Sequence, residues 1–264
     1  MFFNLELLKN ILQSWGLTFL LVNFFYLFFL SSKKISVIDL FWGPLHLFQL
    51  VFCFVVLENL PSGTALIFLG VVFIWAARLS IYLGVRSNGA PDDPRYLELA
   101  QHWKGNFNLN VLIRIFYAQF IISLITSLSI TLIAFDPSLL KLNLSSIIGL
   151  IVAVIGLTYE SIADYQLLCF KRRVDKTKKV MNEGLWKFSR HPNYFGEIIF
   201  WWGIWFVSIQ TSYWFIGIIS PLTITYLLTR FSGVPMLEKR HQDNPEYLEY
   251  IRTTNTLLPG LKRK

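Results

Sequence analysis

Long apolar runs recur along this chain, and they constrain its fold more than any other feature. A run of roughly 20 apolar residues crosses a bilayer as a helix, because only a closed helix satisfies its own backbone hydrogen bonds in hydrocarbon. Seven such segments are read at 11–30, 37–57, 64–84, 111–134, 145–169, 196–209 and 213–231. The sixth is short, and with the seventh it can form a tight hairpin around Gln210–Ser212. Composition agrees: 54% of residues are hydrophobic and 15% charged, where a soluble domain carries about a quarter charged. The expected fold class is an all-α integral membrane protein with about seven transmembrane helices. No linker, low-complexity tract or repeat divides it, so residues 1–264 are expected to form a single polytopic domain, with 1–34 as the first helix. The run after Lys9 lacks a small-residue cleavage site and is long enough to span, so it reads as a retained helix.

The formal charge of +8 does not point to nucleic acid, because the basic residues sit in loops between spans. With the N-terminus outside and the C-terminus cytoplasmic, all of the 24 Lys and Arg residues except Lys9 and Lys141 fall on the inner side. Glu58 and Asp136 also fall outside. That bias sets the orientation. Cys53 and Cys169 are far apart and offer neither a disulfide framework nor a CxxC site. His46, His102, His191 and His241 form no metal-binding spacing, so no metal is expected.

Ionisable residues at or inside span ends cost several kcal/mol unless paired or solvated, each about 3 kcal/mol at mid-helix. Asp39 opens the second span, with Trp42, His46 and Gln49 on the same helical face. Arg78 lies near the end of the third span, with Trp75 and Tyr82 on one stripe; Arg114 begins the fourth beside Asn110 and Tyr117. Glu160 and Asp164 are four apart in the fifth, with Lys171 two turns further on. Glu160 is therefore about 16 Å up the helix from Lys171, roughly mid-bilayer. Glu197 opens the sixth span and Arg230 closes the seventh. Taken singly, each reads as a snorkelling charge or structural ion pair. Jointly, mixed charges and aromatics at one depth on six helices imply a water-filled cavity open to the cytoplasm, beside a nearly uncharged outer half that suits a lipophilic substrate.

The loops extend that cavity. Arg86-Ser-Asn88 through Arg95-Tyr96 is a turn-rich stretch with two arginines, which serve either as plain cytoplasmic charge or as phosphate ligands. Lys171 and Arg172 can reach an anionic ligand, while the lysines up to Lys179 face anionic headgroups. PEYLEYIR at Pro245–Arg252, with Tyr247 and Tyr250, is either an interfacial helix or a cover for the pocket. The densest polar stretch is Gly184–Glu197, GLWKFSRHPNYFGE, at the mouth of the sixth span. Leu185, Trp186 and Phe188 suit the membrane interface. Pro192 suits a first helical turn, which leaves Asn193 and Tyr194 near an anion-favouring N-terminus. Arg190 and His191 add donors, and Glu197 adds an acceptor suited to a ribose hydroxyl or an amide.

Together GLWKFSRHPNYFGE, DPRY at Asp93–Tyr96, ESIADYQLLCFK at Glu160–Lys171, VIDLFWG at Val37–Gly43 and SGVPMLEKR at Ser232–Arg240 resemble the bacterial steroid 5-alpha-reductase-like membrane proteins, long grouped as a domain of unknown function. The likeness runs from about residue 35 onward. It belongs to a wider superfamily that includes sterol reductases and isoprenylcysteine carboxyl methyltransferases. The resemblance implies a helical bundle with a cytoplasmic cofactor pocket, here mainly residues 160–252. It implies that Asn193 and Glu197 meet the nicotinamide side of NADPH, and that Asp164, Lys171 and Arg230 meet the nucleotide. It further implies that Arg78 and the Arg86–Asn88 loop lie over the adenosine end. Glu160 stands where those enzymes have an asparagine. One departure is clear: the Gln-Glu pair that grips the steroid keto group is missing, and Trp75 takes the place of its partner tyrosine.

The expected function is NADPH-dependent reduction of an activated carbon–carbon double bond in a steroid-, isoprenoid- or fatty-acyl-like substrate, in a bacterial inner membrane with the pocket facing the cytoplasm. Candidate catalytic residues are Asp39, Tyr194 and His191, with Asp39 as a protonated donor that polarises a carbonyl, or else a structural partner of Arg78. Candidate cofactor ligands are Arg78, Arg86, Asn88, Glu160, Asp164, Lys171, Arg172, Arg190, His191, Asn193, Tyr194, Glu197, Arg230, Tyr247 and Tyr250. Asp39, Trp42, His46 and Trp75 are expected to line the substrate side, and membrane lipids are the other expected partners. The rival is an S-adenosylmethionine-dependent lipid or isoprenoid methyltransferase, whose cationic cofactor would not need the many basic residues. A third reading is a non-catalytic membrane scaffold with a vestigial pocket.

Overall fold

The structure, a computed structural model, describes residues 5–57, 63–135, 142–173 and 180–261. Lys141, Glu58, Asp136 and the lysines 176, 178 and 179 expected at the headgroups lie outside the described residues. All regular structure among the described residues is helical. Five helices are long and apolar enough to cross a membrane: Leu5–Ser32, Thr64–Ser87, Phe107–Thr126, Leu144–Arg172 and Trp214–Arg240. A shorter apolar helix spans Trp42–Val56. The chain is an integral membrane protein, as its apolar runs require.

Two compact units can be distinguished. The first takes the chain to Asn143 plus Ser208–Ile219. It holds α1 (Leu5–Ser32), α2 (Val37–Leu40), α3 (Trp42–Val56), α4 (Thr64–Ser87), α5 (Pro94–Ala100), α6 (Phe107–Val111), a π-helical turn (Leu112–Tyr117), α7 (Ala118–Thr126) and α8 (Leu128–Ala134). The run 37–57, expected as one helix, breaks at Phe41 into α2 and α3. Pro44 explains the break: it has no N–H for the carbonyl of Leu40, and Ser80 Oγ donates to that carbonyl instead at 2.9 Å. The run 111–134 is likewise interrupted at Ser127. There Ser123, Thr126 and Ser127 turn their hydroxyls back onto carbonyls three or four residues earlier, which bends a helix.

Close approach sets the packing of this unit. A Cβ on Gly43 would lie 2.5 Å from the carbonyl oxygen of Ala76, so α3 and α4 meet backbone to backbone. A buried polar knot joins α1, α3 and α8. The amide of Gln49 accepts from Thr18 Oγ1 and donates to Ser14 Oγ at 3.0 Å. Such knots fix helix register where lipid-like side chains cannot.

The second unit comprises Leu144–Val207 and the chain from Ser220. Its elements are α9 (Leu144–Arg172), a 3₁₀ turn (Gly184–Lys187), α10 (Pro192–Ser208, up to Val207 in this unit), α12 (Ile219–Tyr226, from Ser220), a π-helical turn (Leu227–Phe231), α13 (Val234–Arg240) and α14 (Pro245–Thr253); the short α11 (Trp214–Gly217) belongs to the first unit. Small residues recur on the facing stripes of α9 and α10. A Cβ on Gly156 would meet Phe200 N at 2.4 Å, and one on Gly203 would meet Ala153 N at 2.4 Å. Gly149 is equally tight against Val207 N, and Gly196 against Glu160 N, both at 2.6 Å. The two helices therefore pack backbone to backbone over four successive contacts, as small-residue spacing allows in membranes.

The polar stretch before α10 is tied to α9. Trp186 Nε1 donates to the Ala163 carbonyl at 3.0 Å, and Leu185 N donates to Gln166 Oε1 at 3.0 Å. Gly184, at φ +55°, leaves room for the Gln166 amide that any side chain would displace. Tyr247 and Tyr250 of α14 are buried and pack on Val180, Leu237 and Ile251.

Candidate functional site

The tight α9–α10 contact brings four expected residues of the second unit together. Glu160 and Asp164 lie one turn apart on α9, and Asn193 and Glu197 one turn apart on α10. Glu160, Asp164 and Glu197 are buried, at 5%, 4% and 7% exposure. Asn193 Nδ2 donates to Asp164 Oδ1 at 3.1 Å, and Glu197 Oε1 accepts from Trp201 Nε1 at 2.8 Å. Asn193 Oδ1 is buried and has no hydrogen-bond partner among the described residues. Carboxylates accept hydrogen bonds and donate none when ionised, so this cluster suits the donor groups of a ligand: amide N–H, ribose O–H or a cation.

Positive charge sits elsewhere. Lys171 and Arg172 are exposed at the end of α9, and Arg230 is exposed in the π-helical turn Leu227–Phe231. Arg190 requires a correction. It is 7% exposed and its donors are all used within the chain. Nε donates to Glu238 Oε1 at 2.9 Å, Nη1 to the carbonyls of Ile251 and Thr254, and Nη2 to Thr256 Oγ1 at 2.8 Å and to Glu238 Oε1 at 2.8 Å. A guanidinium has five N–H groups, and none is left for a ligand phosphate. Arg190, just before α10, is therefore a clamp onto α13, the end of α14 and the segment after it.

The clamp orders its neighbours. His191 Nε2 lies 3.3 Å from Glu238 Oε1, and its ring stacks on Tyr194 at 5.2 Å with planes 2° apart. Burial holds the His191 imidazole below its ordinary range, and Arg190 pushes the same way against the pull of Glu238. Tyr250 donates to the carbonyls of Trp186 and Ser189, so its hydroxyl is structural. The Tyr247 hydroxyl is buried without a hydrogen-bond partner among the described residues, and burial raises both phenols. His241 packs edge-on against Tyr247 at 4.7 Å, and its imidazole is lowered by burial and then by the charges of Arg240 and Lys171.

The first unit gathers the expected substrate-side residues. His46 lies between two indoles, 5.0 Å from the Trp42 ring and 5.4 Å from Trp75. Its ring nitrogens are 2.8 Å from the Trp42 carbonyl and 2.7 Å from Thr126 Oγ1, so both are satisfied inside the protein. Asp39 also departs from expectation. Oδ2 accepts from Arg95 Nη2 at 3.2 Å and Oδ1 accepts from the Tyr96 hydroxyl. Its ion pair is therefore with Arg95 and not Arg78. Arg95 is held in turn by Asp93 at 3.0 Å. Asp92 accepts from Ile35 N at 2.7 Å and Ser36 N at 2.9 Å, just before α2. Arg78 is half-buried on α4, while Arg86 and Asn88 are exposed at its end.

Several partners went unnoticed in the sequence. Glu238, Thr256 and Gln166 organise their partners from 19 to 66 positions away, with no periodic signal to link them, and Arg95, expected as plain charge or a phosphate ligand, is instead bonded to Asp39 and Asp93. Glu238 and Arg95 do fall within SGVPMLEKR and DPRY, which mark them as worth inspection.

Fold and site together define an all-helical integral membrane protein with a buried carboxylate–amide cluster on two closely packed helices. The chain belongs to the family described as protein of unknown function (DUF1295), whose profile matches residues 25–254. No curated protein and no solved structure matches it.

Proposed function

We propose that this protein is a membrane-embedded reductase that uses NADPH to reduce an activated carbon–carbon double bond in a lipophilic steroid-, isoprenoid- or fatty-acyl-like molecule. The observation that carries the reading is the acceptor cluster of Glu160, Asp164, Asn193 and Glu197, with its unpartnered Asn193 Oδ1, on helices whose exposed ends present Lys171 and Arg172. The acceptors match a carboxamide and ribose hydroxyls, and the cations match phosphates. The likeness to steroid 5-alpha-reductase-like proteins supports the same assignment. When bound, NADPH supplies a hydride. Asp164 fixes the side chain of Asn193, Glu197 offers an acceptor one turn on, and Arg190 keeps His191 and Tyr194 in place. Tyr194 and His191 bear transferable protons and are the candidate donors to the substrate carbon next to the carbonyl. Asp39 acts by holding Tyr96 and Arg95.

The same reading places seven spans across a bacterial inner membrane, N-terminus outside and C-terminus in the cytoplasm, from the distribution of Lys and Arg. Accessibility of single introduced cysteines to an impermeant reagent in intact cells tests that arrangement.

A second reading keeps support from one observation. Three buried carboxylates on α9 and α10 also suit a sulfonium, which favours an S-adenosylmethionine-dependent methyltransferase of a lipid. Calorimetric titration of the detergent-solubilised protein with NADPH, NADH and S-adenosylmethionine in parallel separates the two. Micromolar NADPH binding that the Asn193→Ala/Glu197→Ala variant loses supports the reductase. Binding of S-adenosylmethionine alone transfers the protein to the methyltransferases, and binding of neither leaves a scaffold with a vestigial pocket.

A further inference from the structure

Two tyrosines one turn apart on α14 use their hydroxyls in opposite ways. Tyr247 and Tyr250 are each 5% exposed, and both rings join one apolar cluster with Val180. The Tyr250 hydroxyl reaches the carbonyls of Trp186 and Ser189. The Tyr247 hydroxyl is just as buried and has no hydrogen-bond partner among the described residues. Its ring is held in place: His241 packs edge-on against it at 4.7 Å and Tyr250 at 5.9 Å, with Leu237 and Ile251 on the same cluster. An unpaired buried hydroxyl costs more than an ordinary hydrogen bond returns, so a fixed one points to a ligand group that completes it. Burial keeps this phenol protonated, so it is a donor. Glu238 and Arg190 act on it with opposite sign, and the two are paired with each other at 2.8 Å, so their fields largely cancel there. Neither charge is left for a ligand anion at that hydroxyl, and a neutral oxygen is the acceptor that fits. Tyr194 of α10 also acts on Tyr247, and it adjoins Asn193, whose Oδ1 is likewise buried and unpartnered among the described residues.

We propose that the Tyr247 hydroxyl is a ligand contact that donates to a neutral carbonyl or hydroxyl oxygen of the molecule held by the second unit, while Tyr250 is structural. The proposal rests on the cofactor reading of Asp164, Asn193 and Glu197 and deepens it. It gives α14 a direct part in binding and matches Tyr247 to the amide and ribose portion of NADPH, leaving the phosphates to Lys171 and Arg172. A polar group kept for a ligand has a recognisable signature: its removal spares or stabilises the empty protein and weakens binding.

The test compares Tyr247→Phe with Tyr250→Phe in the full chain in detergent, since each keeps the ring and removes only the hydroxyl. Without ligand, Tyr247→Phe should melt at or above the parent temperature and Tyr250→Phe below it, because only Tyr250 gives up partners. In calorimetric titration, Tyr247→Phe should weaken NADPH binding roughly threefold to tenfold. Binding of the adenosine bisphosphate half of NADPH should be unchanged. NADPH held as tightly by Tyr247→Phe as by the parent overturns the proposal and leaves the cofactor reading standing. A melting temperature lowered as far as in Tyr250→Phe also overturns it, since the hydroxyl would then have a partner inside the protein. So does an equal loss of the bisphosphate fragment, which would assign the hydroxyl to a phosphate. If the parent binds S-adenosylmethionine and not NADPH, the reductase reading falls, and the same weakening is expected on that ligand, with unchanged affinity overturning the proposal. A parent that binds neither overturns both.

Discussion

Asn193 donates its side-chain amide to Asp164 across the α9–α10 interface, 3.1 Å from nitrogen to oxygen, and so leaves its own carbonyl oxygen as a buried acceptor without a partner among the described residues. The pair is 29 residues apart in sequence and meets only because Gly156, Gly196 and Gly203 let the two helices touch. Replacing Asp164 by Asn removes the charge and leaves the amide orientation undefined. Hydrogen bonds to charged groups contribute about 1.5–3 kcal/mol, so Asp164→Asn should weaken NADPH binding roughly 10- to 100-fold. Titration calorimetry reads that loss, and unchanged affinity would detach the pair from ligand binding.

Adding a methyl group at the crossing should loosen the interface that builds the pair. At Gly156 a new Cβ meets Phe200 N at 2.4 Å, a backbone atom that cannot swing away. Overpacking of this kind costs about 1–3 kcal/mol, so Gly156→Ala should lower the melting temperature in detergent by roughly 5 °C. Gly16, on α1, has nothing within 4 Å, and Gly16→Ala should leave the melting temperature unchanged or slightly raised. Equal shifts for both would show that the crossing is not tight.

The apolar runs made the membrane class legible, and the spacing of Glu160 and Asp164 placed two acceptors on one helical face. The interruptions were less visible. The break in 37–57 at Pro44 depends on Ser80, far along the chain, which supplies the donor that proline lacks. The small residues Gly149, Ala153, Gly156, Gly196 and Gly203 are not read as a crossing in the sequence, because spacing of small residues does not say which helices meet. Asp39 and Arg190 lay beyond pattern reading for a physical reason. Asp39 is claimed by a loop that folds back, and the three groups that hold Arg190 besides Glu238 are the carbonyls of Ile251 and Thr254 and the Thr256 hydroxyl, which carry no charge signature.

Asp39 should behave as a brace. Asp39→Asn weakens the pair with Arg95, and Tyr96→Phe removes the hydroxyl that Asp39 Oδ1 accepts. Each change should cost about 1–3 kcal/mol, and the double variant should cost less than the sum by roughly 1 kcal/mol, because both act on one network. Protease nicking of the loop 89–93 should rise in both. Loss of reductase turnover with stability untouched would instead restore Asp39 to a direct chemical role.

Arg190→Lys should fail to hold the clamp although the charge is kept. A lysine ammonium brings three donors on a point, whereas Glu238, Ile251, Thr254 and Thr256 are served by a planar fork. Breaking a buried pair and leaving its acceptors uncovered costs about 3–5 kcal/mol. The melting temperature should fall in both Arg190→Lys and Arg190→Ala, and limited proteolysis should cut the segment after Thr253 well before the spans. A lysine variant as stable as the parent would show that charge alone holds the segment.

His191 gives the site a pH dependence whose sign follows from its environment. Burial, reinforced by Arg190, lowers its folded-state pKa below the ordinary value near 6.5, and the Glu238 bond only partly offsets this. Between the two pKa values the unfolded chain binds the proton and the folded chain does not, so stability rises with pH across that window. The contribution is present above about pH 6.5 and is lost as acidification carries the protein through the lower, folded value. Other groups titrate equally in a variant, so the difference between the parent and His191→Gln isolates this residue. Melting curves from pH 7.5 down to 5 should show the parent's advantage shrinking steadily. An advantage that grows on acidification would mean that Glu238 outweighs burial, and that His191 is held charged against it.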